Sequence, residues 1–169
     1  MTPFTACSEP DEATLETPSE GVATPEIPDA PLERSASKRN RLAGLRLVAV
    51  DDDETIRELL QQALESAGAE VCTAASAREA LEQIRRFHPH AIISDIGMPH
   101  EDGYVFLRRV RNLPPESGGA TPAIAVSGFT KEKDRAAARE AGYQAFAAKP
   151  VDLRELIGLI TRLASSGAR

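Results

Sequence analysis

The sequence predicts an α/β fold, a doubly wound parallel sheet of five strands with five helices on its two faces. From about residue 45 onward, short and continuously apolar runs alternate with longer stretches whose apolar residues recur at helical spacing. A run that is apolar at every position is typical of a parallel strand that is buried on both faces. Five strands alternating with five helices within about 120 residues are the pattern of a doubly wound sheet.

The first strand is predicted at 47–50, where no polar side chain interrupts the apolar run. The helix after it carries apolar residues at helical spacing and stops at Gly68, a residue type common at helix ends. These apolar residues are Ile56, Leu59, Leu60, Ala63, Leu64 and Ala67. A second strand follows at 71–74, so the helix is expected to bury this apolar face against the sheet.

The second helix is predicted to begin at Ser76, because Ser76 and Glu79 have the form of a capping box. Its inward-facing residues are Leu81, Ile84 and Phe87. The third strand is expected at 91–94 and ends at Asp95, and a third helix is expected over 104–112.

The second half of the chain repeats the alternation. The fourth strand is predicted at 123–126, and the fourth helix at 131–141, a charged and Ala-rich stretch. A short fifth strand at 144–148 leads to the last helix, for which Asp152 is the expected N-cap. The apolar face of that helix holds Leu153, Leu156, Ile157, Ile160 and Leu163.

Residues 1–42 differ in composition from the rest of the chain. Residues 1–33 contain eight acids and no Lys or Arg, a charge of -8, so the remaining residues sum to +2 within the net charge of -6. Because 1–42 also holds six of the twelve prolines, the sequence predicts a disordered acidic extension and basic linker ahead of a domain at 43–167. Such a nearly neutral domain lacks the clustered Lys and Arg of a nucleic-acid surface.

The composition also bears on location. The two cysteines, Cys7 and Cys72, do not form a disulfide framework, which favours a reducing compartment. No stretch has the roughly 18 apolar residues of a membrane helix, and the acidic N-terminus is unlike a signal peptide. We therefore expect a cytoplasmic protein that does not bind a membrane.

Polar side chains follow four of the predicted strands. Asp51-Asp52-Asp53 follows the first strand, Asp95 the third, Ser127 the fourth and Lys149-Pro150 the fifth. In a doubly wound sheet, ligands bind outside the carboxyl ends of the strands. We therefore expect these side chains to form one site, with Asp53 assigned to the start of the first helix.

With these motifs, residues 45–165 resemble the receiver domain of two-component response regulators. The family's acidic pair corresponds to Asp51 and Asp52, and its acceptor motif to the sequence Ile-Ile-Ser-Asp-Ile-Gly-Met-Pro around Asp95. The positions of the family's hydroxyl residue, switch aromatic and lysine are occupied by Ser127, Phe146 and Lys149. The resemblance, which extends to stand-alone receivers and to receivers of hybrid histidine kinases, implies a flavodoxin-like sheet of strand order 2-1-3-4-5.

The resemblance implies that Asp95 is the nucleophile, which accepts a phosphoryl group as an acyl phosphate. Lys149 would supply a fixed positive charge for the phosphoryl oxygens, and Ser127 a hydroxyl donor. Ser127 and Phe146 would form the conformational switch. Phe146 stands where relatives more often have Tyr, so no tyrosine hydroxyl is available at that position.

The resemblance further implies Mg²⁺ as the cofactor. Asp52 and Asp95 would bind the metal directly, Gly97 would donate its backbone carbonyl, and Asp51 would act through a water molecule. A hard divalent cation requires oxygen ligands of this kind, and it would relieve the repulsion among the three carboxylates.

As a receiver, the protein is expected to take its phosphoryl group from a sensor histidine kinase or a histidine phosphotransfer protein. It would be no enzyme toward other molecules and would catalyse only its own phosphorylation and dephosphorylation. Since the sequence ends at Arg169 without an output domain, we expect a stand-alone regulator or phosphorelay intermediate. Its output would be a contact with a target protein through the face of the fourth helix, fifth strand and fifth helix.

Two other functions are compatible with parts of the sequence. The stretch 48–55 also fits the first motif of haloacid-dehalogenase-type phosphatases, and Ser127 and Lys149 could serve as that family's later motifs. However, that family needs a further strand ending in an acidic pair, and this interpretation leaves the motif at Asp95 unexplained. The second alternative is a degenerate receiver used only for binding, but every position of the family's site is filled.

Overall fold

The structure is a computed structural model, and it describes residues 40–128 and 131–166. In these ranges the strands are β1 (Arg46–Val50), β2 (Glu70–Ala74), β3 (Ala91–Asp95), β4 (Ala123–Ser127) and β5 (Ala145–Ala148). The α-helices are α1 (Glu54–Ser66), α2 (Ala77–Phe87), α3 (Gly103–Arg111), α4 (Glu132–Ala141) and α5 (Leu153–Ser166). No helix in the described ranges combines the length and apolar character needed to span a bilayer.

The five strands form one parallel sheet in the order β2-β1-β3-β4-β5. The predicted doubly wound sheet and its strand order are therefore confirmed. β3 lies at the centre, where its residue Ser94 pairs with Val50 of β1 and Asp95 pairs with Val126 of β4. The carboxyl ends of these three strands therefore lie side by side.

The helices cover the two faces of the sheet in separate groups. α2, α3 and α4 pack on one face, where Ile84 and Phe106 are fully buried. α1 and α5 pack on the other face, where Leu64 and Ile160 are fully buried. Among the described residues, the buried polar ones gather at the ends of β1, β3 and β4: Asp51, Ser94, Asp95 and Ser127. The sheet thus has apolar faces and a polar carboxyl edge.

Three helix starts follow the caps that the sequence predicts. Asp53, Ser76 and Asp152 accept hydrogen bonds from backbone amides in the first turns of α1, α2 and α5. Asp53 receives the amides of Thr55 at 2.8 Å and Ile56 at 3.3 Å. Its carboxylate therefore belongs to α1, and the predicted role of Asp53 is confirmed.

Leu59 departs from the prediction that it lies on the buried face of α1. Its side chain is 51% exposed, whereas Leu60 and Leu64 are buried. The buried stripe of α1 runs through Leu60, Leu64 and Ala67, and Leu59 lies one residue outside it. The packed face of this helix is therefore narrower than its apolar face.

The packed part of the chain begins before β1. Leu42, which the sequence analysis assigns to the linker, is fully buried, and its amide donates to the Ala67 carbonyl at 2.9 Å. The turn before β1 is therefore attached to the end of α1. The rest of the predicted extension, 1–39, lies outside the described residues.

Candidate functional site

Three carboxylates meet at the carboxyl edge of the sheet. Asp51 and Asp52 directly follow β1, and Asp95 is the last residue of β3, the strand beside β1. One carboxylate oxygen from each lies within 4.8 Å of the other two. Asp51 and Asp95 are only 2% and 7% exposed, whereas Asp52 is exposed. The cluster therefore consists of two buried acids and one acid that is exposed to solvent.

Lys149 brings a positive charge to this cluster from the end of β5. Its Nζ lies 3.0 Å from Asp51 Oδ2 and 3.3 Å from Asp95 Oδ2. Burial acts to lower the pKa of Lys149, but the hydrogen bond to Asp51 and the charges of Asp51 and Asp95 outweigh it and raise that pKa above its ordinary value. The ammonium group therefore stays charged beside both buried acids.

The turn after β1 is held by hydrogen bonds within the turn and from α1. Burial raises the pKa of the Asp51 carboxyl, although the amide of Asp53 and the ammonium of Lys149 oppose this by hydrogen bonding to it. The guanidinium of Arg57 donates to the carbonyls of Asp51 at 2.8 Å and Asp52 at 3.0 Å. Arg57 was not among the predicted site residues, because an arginine in the first turns of a helix is usually a solvated side chain and no sequence motif marks it.

The two carboxylate oxygens of Asp95 have different partners. Oδ1 accepts a hydrogen bond from the Gly97 amide at 3.1 Å, and Oδ2 faces the ammonium of Lys149. Gly97 lies in the loop directly after β3, so the residue whose carbonyl is predicted to be a metal ligand is next to the carboxylate cluster. The loop therefore helps to orient the side chain of Asp95.

The two predicted switch residues lie on neighbouring strands at different distances from the edge. Ser127 is the buried last residue of β4, whereas Phe146 pairs with Ala125, two positions before that end. Phe146 is half-buried, and the guanidinium of Arg135 from α4 lies 5.3 Å from the centre of its ring, within the range of a cation–π interaction. Ser127 is thus at the same edge as Asp95, and Phe146 is beside α4.

The residues at this edge fit a hard divalent cation. Asp51, Asp52 and Asp95 each offer a carboxylate oxygen to one cluster, and Mg²⁺ and Ca²⁺ prefer oxygen ligands. The three carboxylates also outnumber the ammonium of Lys149 and the nearby guanidinium of Arg57, which leaves an excess of negative charge. A cation there would reduce the repulsion between the acids, so the donor set is consistent with the predicted metal.

Comparison with known proteins identifies the family to which this chain belongs. The sequence matches the family described as response regulator receiver domain over residues 47–161. The chain therefore belongs to this family, and it is a receiver domain of two-component signalling. The predicted family is confirmed.

The chain also aligns with individual proteins along most of their length. The chain is 43% identical over 119 residues to a 14.6 kDa protein in the sodA1 3' region of Leptolyngbya boryana, which covers 70% of this chain and 89% of that protein. It is 34% identical over 117 residues to Protein PilG of Pseudomonas aeruginosa, covering 69% of this chain and 85% of PilG. The structure of the chemotaxis protein CheY4 of Vibrio cholerae aligns with a TM-score of 0.67 at 30% identity, covering 72% of this chain and 99% of CheY4.

Proposed function

We propose that this receiver accepts a phosphoryl group on Asp95 from a phosphohistidine of a sensor histidine kinase or histidine phosphotransfer protein. The observation that carries the proposal is the position of Asp95, at the end of the central strand, with Lys149 Nζ 3.3 Å from its carboxylate and two further acids beside it. This combination offers a nucleophile, a fixed positive charge and a set of oxygen ligands at one point. We also propose a cytoplasmic location, because the two cysteines form no disulfide framework and so favour a reducing compartment.

The reaction is a transfer between two phosphoryl carriers. One carboxylate oxygen of Asp95 forms a bond to phosphorus while the bond to the donor's imidazole nitrogen breaks, and the electron pair of that bond stays with the imidazole. The ammonium of Lys149 stabilises the negative charge on the phosphoryl oxygens, and the Ser127 hydroxyl can donate to one of them. The Gly97 amide holds the other carboxylate oxygen in place.

The metal requirement follows from the same residues. We propose that Asp52, Asp95 and the Gly97 carbonyl would hold Mg²⁺ directly, and that Asp51 would do so through water. When bound, Mg²⁺ would neutralise charge on the transferring group. Without it, the excess of carboxylates would repel the approaching phosphoryl group, and Lys149 alone offsets only part of that charge.

We further propose that phosphorylation alters a protein-binding face formed by α4, β5 and α5. Movement of Ser127 toward the phosphoryl group would leave space that the ring of Phe146 can enter. Because Arg135 of α4 contacts that ring, a displacement of Phe146 would change the packing of α4. Such a switch is a population shift between two packed states, which phosphorylation biases.

The direct test uses acetyl phosphate and Mg²⁺, with intact-protein mass and hydroxylamine sensitivity as the readout. The wild type should gain one hydroxylamine-labile phosphoryl group, and Asp95→Asn should gain none. Asp152→Asn is the matched control, because Asp152 caps α5 through the amides of Arg154 and Glu155 and Asn caps equally well. Chelation of Mg²⁺ should prevent labelling of both the wild type and the control.

Two results would count against this function. Equal labelling of Asp95→Asn and the wild type would show that Asp95 is not the acceptor. Labelling that peptide mapping assigns to Asp51 would instead support the phosphatase alternative.

A further inference from the structure

Two neighbouring buried hydroxyl groups hold the backbone of Asp95 and of the first residue of α3. Tyr143, in the turn between α4 and β5, is 4% exposed, and its hydroxyl donates to the Gly103 carbonyl at 2.9 Å. The fully buried Ser94 hydroxyl donates to the Asp95 carbonyl at 3.0 Å and lies close to the Tyr143 hydroxyl. None of the roles described for the carboxylate site uses Tyr143 or Ser94.

The first residue of α3 packs directly against the backbone of the acceptor. A Cβ atom at Gly103 would lie 2.5 Å from the Asp95 carbonyl oxygen and 2.7 Å from Ile96 Cα, so only glycine allows this approach. The Gly103 amide donates to the Ile96 carbonyl at 3.0 Å and thereby closes the loop between them. That loop contains Gly97, whose amide holds the Asp95 carboxylate, so movement of Gly103 would be transmitted to Asp95.

We propose that Tyr143 is a positioning residue for the phosphorylation of Asp95. Through Gly103, which packs on the Asp95 backbone, its hydroxyl holds the acceptor and the loop after it in the geometry that phosphoryl transfer requires. The proposal rests on Asp95 being the acceptor. Buried hydrogen bonds act in a low dielectric, so losing this hydroxyl would let the first turn of α3 shift, and small misplacements of a nucleophile slow a reaction strongly.

Replacement of Tyr143 by Phe removes the hydroxyl oxygen and keeps the ring. In Tyr143→Phe, the initial rate of Asp95 phosphorylation by acetyl phosphate at saturating Mg²⁺ should fall roughly tenfold. Losses of this size are typical when a residue that orients a functional group, without contacting the substrate, is replaced. Mass mapping should still place the phosphoryl group on Asp95. The matched control is Tyr104→Phe, since the half-buried Tyr104 hydroxyl donates to the Asp134 carbonyl at 3.3 Å and takes no part in this link. Its rate should equal that of the wild type.

A second control separates positioning from loss of stability. Ile160→Val shortens a fully buried side chain of α5 on the opposite face of the sheet, so it should lower the melting temperature without touching the loop after β3. Phosphorylation by Ile160→Val at the wild-type rate supports the positioning role. An equal slowing in Ile160→Val and Tyr143→Phe would overturn it, because the effect would then follow stability alone.

The outcomes also distinguish this proposal from the proposed function. A labelled wild type with an unaffected Tyr143→Phe would overturn the positioning role and leave Asp95 as the acceptor, whereas an unlabelled wild type would overturn both. If Tyr143→Phe does not fold, Ser94→Ala removes the neighbouring buried hydroxyl that holds the Asp95 carbonyl and should slow labelling similarly. In the double variant the two effects should be less than additive, because both hydroxyls hold the same stretch of backbone around Asp95.

Intrinsic fluorescence provides an independent readout. The chain has two tyrosines and no tryptophan, so in Tyr104→Phe the emission comes from Tyr143 alone. If the hydroxyl is coupled to the acceptor, the coupling is reciprocal, and adding beryllofluoride with Mg²⁺ should change this emission. The same addition to a variant that also carries Asp95→Asn should have no effect. An emission that ignores beryllofluoride in the Tyr104→Phe protein would overturn the link.

Discussion

The surroundings of Asp95 depend on side chains that are small or absent. Ser94, before it, places a compact hydroxyl in the interior, and Gly103 presents no side chain at all to the Asp95 backbone. The contact at Gly103 joins two segments of backbone, neither of which can rotate away as a flexible side chain could. The position of the acceptor therefore depends on residues that never touch a phosphoryl group.

Because Gly103 packs against the backbone of Asp95, we expect Gly103→Ala to destabilise the protein. The added Cβ would lie 2.5 Å from the Asp95 carbonyl oxygen, so the first turn of α3 must move away. We expect a loss of about 1–3 kcal/mol in the free energy of unfolding, the usual cost of overpacking, measured by urea denaturation. The matched control is Gly158→Ala in α5, where the added Cβ would have no atom within 4 Å other than those of its chain neighbours and its own helix backbone. It should stabilise by about 0.5–1 kcal/mol, because Ala is the better helix former.

A Gly103→Ala protein as stable as the wild type would show that α3 approaches Asp95 less closely than the structure indicates.

At the scale of the elements, helix starts and most of the buried helix side chains could be predicted, whereas the exact limits of each buried face could not. The caps at Asp53 and Asp152 are local, because donor and acceptor lie within three residues of each other. The exposure of Leu59, in contrast, depends on how α1 is rotated against the sheet, and this is set by distant partners. The fifth strand starts at Ala145 rather than at the predicted Gln144, whose side-chain carbonyl accepts from the Ala123 amide at 2.7 Å.

The burial of Leu42, in the turn before β1, also depends on distant partners, and mutation can test it. Leu42→Ala should lower the free energy of unfolding by about 2–5 kcal/mol, the range for a buried leucine, because Leu42 is fully buried against the core shared with α1 and α5. Leu59→Ala removes the same atoms from a side chain that is 51% exposed and should change stability by less than about 0.5 kcal/mol. Both values come from chemical denaturation of the full chain. Equal losses for the two variants would mean that Leu42 does not pack as described.

At the scale of the whole molecule, the site could be predicted because the topology itself brings it together. Lys149 and Asp51 are 98 residues apart in sequence, yet each follows a strand of one parallel sheet, so both reach the same edge. The link from Tyr143 to Gly103 spans 40 residues and joins a turn to a helix start, and no periodicity or motif indicates such a pair. Residues at strand ends can therefore be assigned from sequence, whereas the contacts that hold them in place require the packed structure.

The charge of the assembled edge gives the last prediction, which concerns metal and stability together. Asp51, Asp52 and Asp95 are held within 4.8 Å of one another only in the folded state, so a divalent cation bound between them should stabilise that state by mass action. The expected gain is roughly 1–3 kcal/mol at Mg²⁺ concentrations well above the dissociation constant. Melting curves across a Mg²⁺ series, at ionic strength held constant with NaCl, measure it.

Asp52→Asn tests whether the three acids form one site. Because Asp52 is exposed, its replacement leaves no buried group unpaired, and it removes one of the repelling charges. The variant should therefore be at least as stable as the wild type without metal, and it should lose most of the response to Mg²⁺. Asp152→Asn removes an equal charge from a residue that is not part of the cluster and should retain the full response. A wild type whose melting is indifferent to millimolar Mg²⁺ would contradict a shared metal site, since a cation that binds only the folded state must raise its stability.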